Sequence, residues 1–300
     1  MKNTVALNAP NTGEHEQFKK ASQYKEIWRR FKKNKGALIA LILLGIVLTV
    51  IIFADFIAPY RMATRQNPTM RLQPPSAEHI MGTDAFGRDV FARVIHGGRT
   101  SMAIALIASI ASCVVGSALG AIAGYFGGKV DSFIMRTLDI FMSVPDILFT
   151  MAIVVALGAN FTNLLIALTV AYFRSYVRLV CSQVLTLSEQ DYVEAARAGG
   201  SSNTRIILSH ILPNAMGIII VNITLNVAKI ILYESTLSFL GLGMPPPQPA
   251  WGLMLSEARE YMRNFPHLLI FPAASIVLCA CSVNLVGDGL RDALDPHLKS

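Results

Sequence analysis

Glu194-Ala195-Ala196-Arg197-Ala198-Gly199-Gly200, followed after nine residues by His210-Ile211-Leu212-Pro213, is the stretch whose reading decides the architecture. It sits in the longest polar interval of an otherwise apolar chain, on the side of the predicted membrane where Lys and Arg accumulate. Ser188 is expected to cap a helix start, with Asp191 three residues later in the place that a capping box gives to Glu or Gln. That helix is expected to end near Ala198. Gly199 and Gly200 then offer the positive φ of a helix ending, and Ser202 or Asn203 can cap a second short helix bearing Ile206, Ile207, Ile211 and Leu212. Pro213 suits the first turn of a further helix, where its missing N–H costs nothing. The predicted product is a helix, a glycine elbow and a second helix, exposed between two membrane spans and suited to docking.

The flanks set the class. With 53% hydrophobic and 15% charged residues in 300 and a mean hydropathy of +0.49, a soluble chain would have nowhere to put its surface. A span needs about 20 predominantly apolar residues, and six runs qualify, near 36–57, 101–126, 135–157, 161–180, 213–233 and 268–287. The expected fold class is all-α, a polytopic integral membrane protein with six transmembrane helices. Net charge +7 could suggest nucleic acid, but the distribution of basic residues argues against it. Nine of the 26 Lys and Arg precede Gly36, and with both termini inside the interior segments hold seventeen against eight outside. That is the positive-inside bias.

The first apolar run follows 35 polar residues and continues for a full span, so no cleavable signal is expected. Cys113, Cys181, Cys279 and Cys281 lie in or beside spans without ligand spacing, and the six His are scattered, so no metal site or cofactor is expected. No Ser-His, Asp-Asp or His-Glu-x-x-His arrangement supports an enzyme, and the phosphate loop that would bind ATP is missing.

Polar residues inside spans are the candidates for a path. Asp146, about ten residues from Arg136, falls roughly 15 Å deep, where an acid must face water or protein; it either lines a pathway or pairs with another helix. Asn222, Asn226, Lys229 and Tyr233 follow at spacings of four, three and four and form one polar stripe, facing a water-filled path or a partner subunit. Pro145 is expected to kink the third span at Phe141, and Asp139 to pair with Arg136. Arg174 and Arg178 are expected to reach the headgroups. Ser112, Gly116, Gly120 and Gly124 make a small-residue stripe for close helix packing. Residues 22–35 predict a basic amphipathic helix whose aromatic side lies in the interface and whose charges meet anionic membrane lipid, or which simply fixes topology. Val90, Phe91, Val94 and Ile95 predict a helix lying on the outer face, and Trp251 suits the outer interface.

Glu-Ala-Ala, three residues, Gly, nine residues, then a residue two places before Leu-Pro resembles the cytoplasmic signature of permeases of binding-protein-dependent ABC importers, with His210 where that pattern most often has Ile. Gly82-Thr83-Asp84, Gly87-Arg88-Asp89, Gly98-Arg99-Thr100-Ser101, the run Ser235-Thr236-Leu237-Ser238-Phe239-Leu240-Gly241-Leu242-Gly243 with Trp251-Gly252, and the tail Gly287–Pro296 resemble the C-type permeases of dipeptide and oligopeptide importers. The resemblance implies the type I ABC importer permease fold, with residues 1–35 as a cytoplasmic tail and 36–300 as the transmembrane domain. Within it come the first span 36–57, an exterior segment 58–100, core spans 101–287 and a coupling loop 182–213.

It also implies that Glu194, Ala195, Ala196, Gly200, Leu212 and Pro213 couple to an ATPase. The implied partners are a second homologous permease, two ATP-binding subunits or domains that hold ATP and magnesium, and an extracytoplasmic solute-binding protein. The implied cargo is a di- or oligopeptide. A nickel or nickel-chelate importer of the same subgroup is the rival, and an ion-coupled secondary transporter using Asp146 and Lys229 a remote one.

Overall fold

The computed structural model describes residues 23–294; these are mostly helical, with irregular stretches at 65–89, 240–250 and 259–266 and one isolated bridge between Thr83 and Asp89. A short helix α1 (Gln23–Lys33) precedes the first span, which divides at Phe53 into α2 (Lys35–Ile52) and α3 (Ala54–Ile57). After α4 (Tyr60–Thr64) and an irregular stretch comes α5 (Val90–Phe126), a single helix of 37 residues. The expected helix on the outer face is therefore not separate; it is the first part of the second span. Asp89 starts it, its Oδ1 accepting from the Ala92 N–H at 2.7 Å. Gly97 and Gly98 do not break it, because they serve packing: a Cβ on Gly98 would lie 2.7 Å from Ile51 and 2.9 Å from Trp251.

The small-residue stripe on α5 meets α8 (Phe161–Ser188). A Cβ on Gly116, Gly120 or Gly124 would come within 2.5, 2.6 or 2.7 Å of the carbonyl oxygens of Phe173, Val177 or Cys181, so the two helices touch backbone to backbone over three turns. Ser112 adds a hydrogen bond to the Thr169 carbonyl at 3.2 Å. Gly127 and Gly128, with φ of 58° and 51°, turn the chain from α5 into α6 (Gly128–Met142).

The third span is broken rather than kinked. α6 and α7 (Asp146–Leu157) meet at 83°. Pro145 stands just before α7 with extended backbone, so the helix is interrupted instead of bent around it. The Phe141 carbonyl left open there accepts from Arg174 Nη1 at 2.6 Å. Counting this pair as one span gives six, the others being in α2, α5, α8, the helix from Asn203 to Phe239, and α13 (His267–Leu294). The Asn203–Phe239 helix comprises α10 (Asn203–Ile206), a π turn Ile207–Ile211 and α11 (Leu212–Phe239). It extends six residues beyond the expected outer end, so Glu234–Phe239 is helix and not loop.

Between α11 and α13 lies α12 (Trp251–Ala258). Trp251 is buried, not interfacial: its indole Nε1 donates to the Val94 carbonyl at 2.8 Å, and its own N–H donates to Ser101 Oγ. One apolar core joins α5, α8, α11, α12 and α13; a second surrounds Val180, Val184, Val193, Ile206 and Ile211 beneath the Glu194 segment.

Candidate functional site

The elbow forms, with different capping. α8 runs through Ser188, whose hydroxyl donates back to the Leu185 carbonyl at 2.9 Å and caps nothing ahead. α9 (Asp191–Ala198) starts after Gln190 without a side-chain cap; Asp191 and Glu194 instead place negative charge on its first turn, where the helix dipole favours it. Only one glycine takes the left-handed backbone. Gly200 has φ +77°, while Gly199 is not in that region. Gly200 N–H donates to the Arg197 carbonyl at 3.0 Å and Ser201 N–H to that of Ala196 at 3.1 Å, the paired bonds of a Schellman ending. Ser202 precedes α10, as expected, but makes no side-chain cap.

Val193 is the anchor. It is fully buried among Val180, Val184, Ile206 and Ile211, which fixes α9 to both α8 and the returning helix. The face turned away from this anchor carries Glu194, Ala195, Ala198, Gly199 and Gly200, all exposed, with Ala196 partly covered. Small side chains let another backbone come close, and Glu194 is the acid in their midst. Leu212 packs beneath, against the same apolar cluster, while Pro213 is exposed one step into α11. Thus Glu194, Ala195 and Gly200 form a surface, and Leu212 supports it from below.

Two ties were not legible in the sequence pattern. Arg197 lies over the Tyr125 ring at 5.2 Å, and the Tyr125 hydroxyl donates to Asn203 Oδ1 at 2.9 Å, binding the elbow to the end of α5. Asn214 Nδ2 donates to the His210 carbonyl at 2.6 Å, inside the π turn.

The polar residues expected along a path separate into distinct environments. Asp146 is the first residue of α7, at the break, and pairs with Arg174 Nη2; the acid side chain is 50% exposed and the guanidinium 2%. Arg174 therefore does not reach headgroups. It also donates to the carbonyls of Phe141 and Ala171 and lies 5.2 Å from the Phe149 ring. Arg178 pairs with Asp139, which replaces the expected Arg136 partner. Tyr233 meets the Tyr172 ring of α8 edge-on at 5.5 Å. The stripe on α11 is not one surface: Asn226 is buried within reach of the Tyr176 hydroxyl, Asn222 bonds the Ile218 carbonyl of its own helix, and Lys229 is exposed without an ion pair among the described residues.

Outside the membrane-spanning core, sequence reasoning missed a buried charge network. Arg88 bonds Asp84 at 2.6 Å and Glu257 at 2.8 Å; Arg93 bonds Glu257 at 2.7 Å and also Asp84. It joins the segment before α5 and the start of α5 to α12. Burial pushes the Asp84 carboxyl up, but Arg93 and Arg88 outweigh that and hold it below the usual carboxylate range.

Residues 116–300, which include the whole elbow, match the family described as "binding-protein-dependent transport system inner membrane component". The chain belongs to this family. Residues 22–75 of the permease also match the N-terminal transmembrane domain of oligopeptide transport permease C. The permease is 43% identical over 285 residues to the dipeptide transport system permease protein DppC of Alkalihalophilus pseudofirmus, covering 95% of this chain and 93% of that one. It is 37% identical over 277 residues to the glutathione transport system permease protein GsiD of Pectobacterium atrosepticum, covering 92% of each. A chain of the inward-facing MetNI methionine ABC transporter superposes with TM-score 0.55 at 17% identity, over 68% of this permease and 97% of that chain, and shares its fold. As a member of this family the permease is a multi-pass transport subunit of an ABC importer.

Proposed function

We propose that the permease carries di- or oligopeptides from an external solute-binding protein into the cytoplasm, using ATP hydrolysed on partner subunits. The observation that carries this reading is the exposed Glu194-Ala195 surface closed by Gly200 and pinned at Val193, in a chain similar to dipeptide and glutathione permeases. Those relatives favour peptide over nickel as cargo.

Mechanistically the elbow is a rigid connector. A partner ATPase that grips the exposed face of α9 moves Val193, and with it the ends of α8 and α11 that share its apolar cluster. Close-packed α5 follows α8, because their backbones touch. Two such elbows, one on this chain and one on a homologous second permease, would be drawn together by ATP binding to two ATP-binding subunits or domains and released after hydrolysis. ATP and magnesium belong to those partners; this chain holds no cofactor, and both its termini lie in the cytoplasm. Asp146, Tyr233 and Lys229 face the cargo's route, with Asn222 at its edge and Asn226 behind it.

The reconstituted complex should take up labelled peptide and not labelled nickel, and only with ATP. Uptake driven by a proton or sodium gradient without ATP, or nickel uptake, would replace this reading.

A further inference from the structure

We infer that α1 binds anionic phospholipid headgroups through a face of Lys25, Trp28, Arg29 and Lys32. The sequence leaves two roles open for this helix, and the structure divides its sides differently from the expectation. Ile27 and Phe31 do not enter the interface; they pack on the inner end of α13, against Val286, Leu290 and Ala293, and on Ala37 and Leu41 of α2. Gly289 allows this, since a Cβ there would lie 2.2 Å from Ala37 and 3.1 Å from Phe31. The helix is thereby held at the depth of the last two turns of α13, and only Asn34 separates it from the first residue of the span, Lys35.

The opposite side is uncovered. Lys25, Trp28, Arg29 and Lys32 follow at spacings of three, one and three, all exposed, and Lys32 Nζ lies 5.0 Å from the Trp28 ring. None of the three cations forms an ion pair among the described residues. An exposed indole, 47% accessible, among cations at a membrane boundary has the chemistry of the headgroup layer: the ring takes the apolar edge of the interface and the cations take phosphate. An aqueous acidic partner would satisfy the cations and leave the indole in water, so the lipid surface is the occupant that suits both.

The test uses the full permease complex in vesicles of phosphatidylglycerol and phosphatidylcholine in equal amounts, one or the other carrying brominated chains. The Trp28 signal is the fluorescence difference between wild type and Trp28→Phe, in which the emission of Trp251 and of the partner subunits cancels. Brominated phosphatidylglycerol should quench it at least roughly twofold more than brominated phosphatidylcholine, with the preference lost in high salt and in Lys25→Gln, Arg29→Gln, Lys32→Gln. All three positions are exposed, so that variant should fold and keep its elbow. Equal quenching by the two lipids, a preference unchanged in the triple variant, or shielding of Trp28 from both lipids in the complex would overturn the inference. Because it does not depend on the cargo, failure here leaves the peptide reading standing.

Discussion

Arg174 of α8 holds both sides of the break in the third span: one nitrogen takes the Phe141 carbonyl at the end of α6, and another takes the Asp146 carboxylate at the start of α7. A single guanidinium thus replaces the helix hydrogen bonds that Pro145 and its neighbours do not make. Removing it leaves a carbonyl and a carboxylate without a donor. Arg174→Leu should lower stability by roughly 1–3 kcal/mol, below the figure for a fully buried pair because Asp146 is half exposed. Arg174→Lys, with one point charge for two acceptors, should fall between. Asp146→Asn, which keeps an acceptor, should be mildest. Thermal unfolding of the detergent-purified protein gives the order, and an equal loss in all three would refute it.

The two elbow glycines should differ. Gly200→Ala puts a side chain on a backbone of φ +77° and should cost about 1–2 kcal/mol locally, although no atom lies within 4 Å to clash. Gly199→Ala keeps an ordinary φ and should be nearly silent. Stimulated ATPase activity and uptake by the assembled complex, measured side by side, should fall only for Gly200→Ala. Glu194→Arg, which reverses the charge at the centre of the exposed face, should uncouple the complex without unfolding the permease.

Acid should loosen the network around Asp84. The Asp84 carboxyl is held below its unfolded value, so its contribution is complete above the unfolded pKa of about 4 and is lost as pH falls through the lowered folded value. Melting temperature measured from about pH 7 down to about pH 3 should drop for the wild type at the acid end. In Asp84→Asn it should start lower and lose that part of the slope. Parallel curves would show that Asp84 does not supply the acid sensitivity.

Lys229 and Asn226 should part company. Lys229→Leu alters an exposed cation that no described residue pairs with, so it should depress peptide uptake severalfold with assembly unchanged. Asn226→Leu removes a buried polar group beside Tyr176 and should reduce stability as well. Uptake, with co-purification of the complex as the control, separates them.

Most of the helices were legible because about 20 apolar residues in a row have few other uses, and the Gly116–Gly124 stripe announced its close neighbour. What one-dimensional pattern missed was long-range pairing. Arg174 and Asp146 are 28 positions apart, Arg88 and Glu257 169 apart, and nothing in either neighbourhood names the other. Local propensity also misjudged Ser188, where α8 ran past its expected end. The elbow was found because its spacing is distinctive, but its glycines were not equivalent until their backbone angles were seen.

The π turn from Ile207 to Ile211 closes with the Leu212 N–H donating to the Ile207 carbonyl, five residues back instead of four. That single surplus residue shifts the rotational phase of everything after it by about 100°, and so selects which side of α11 carries Lys229 outward and Asn226 inward. The interval between Gly200 and Leu212 is for this reason a dial as well as a tether: shortening it by one residue would leave every amino acid of the fifth span in place while turning each to face a different neighbour.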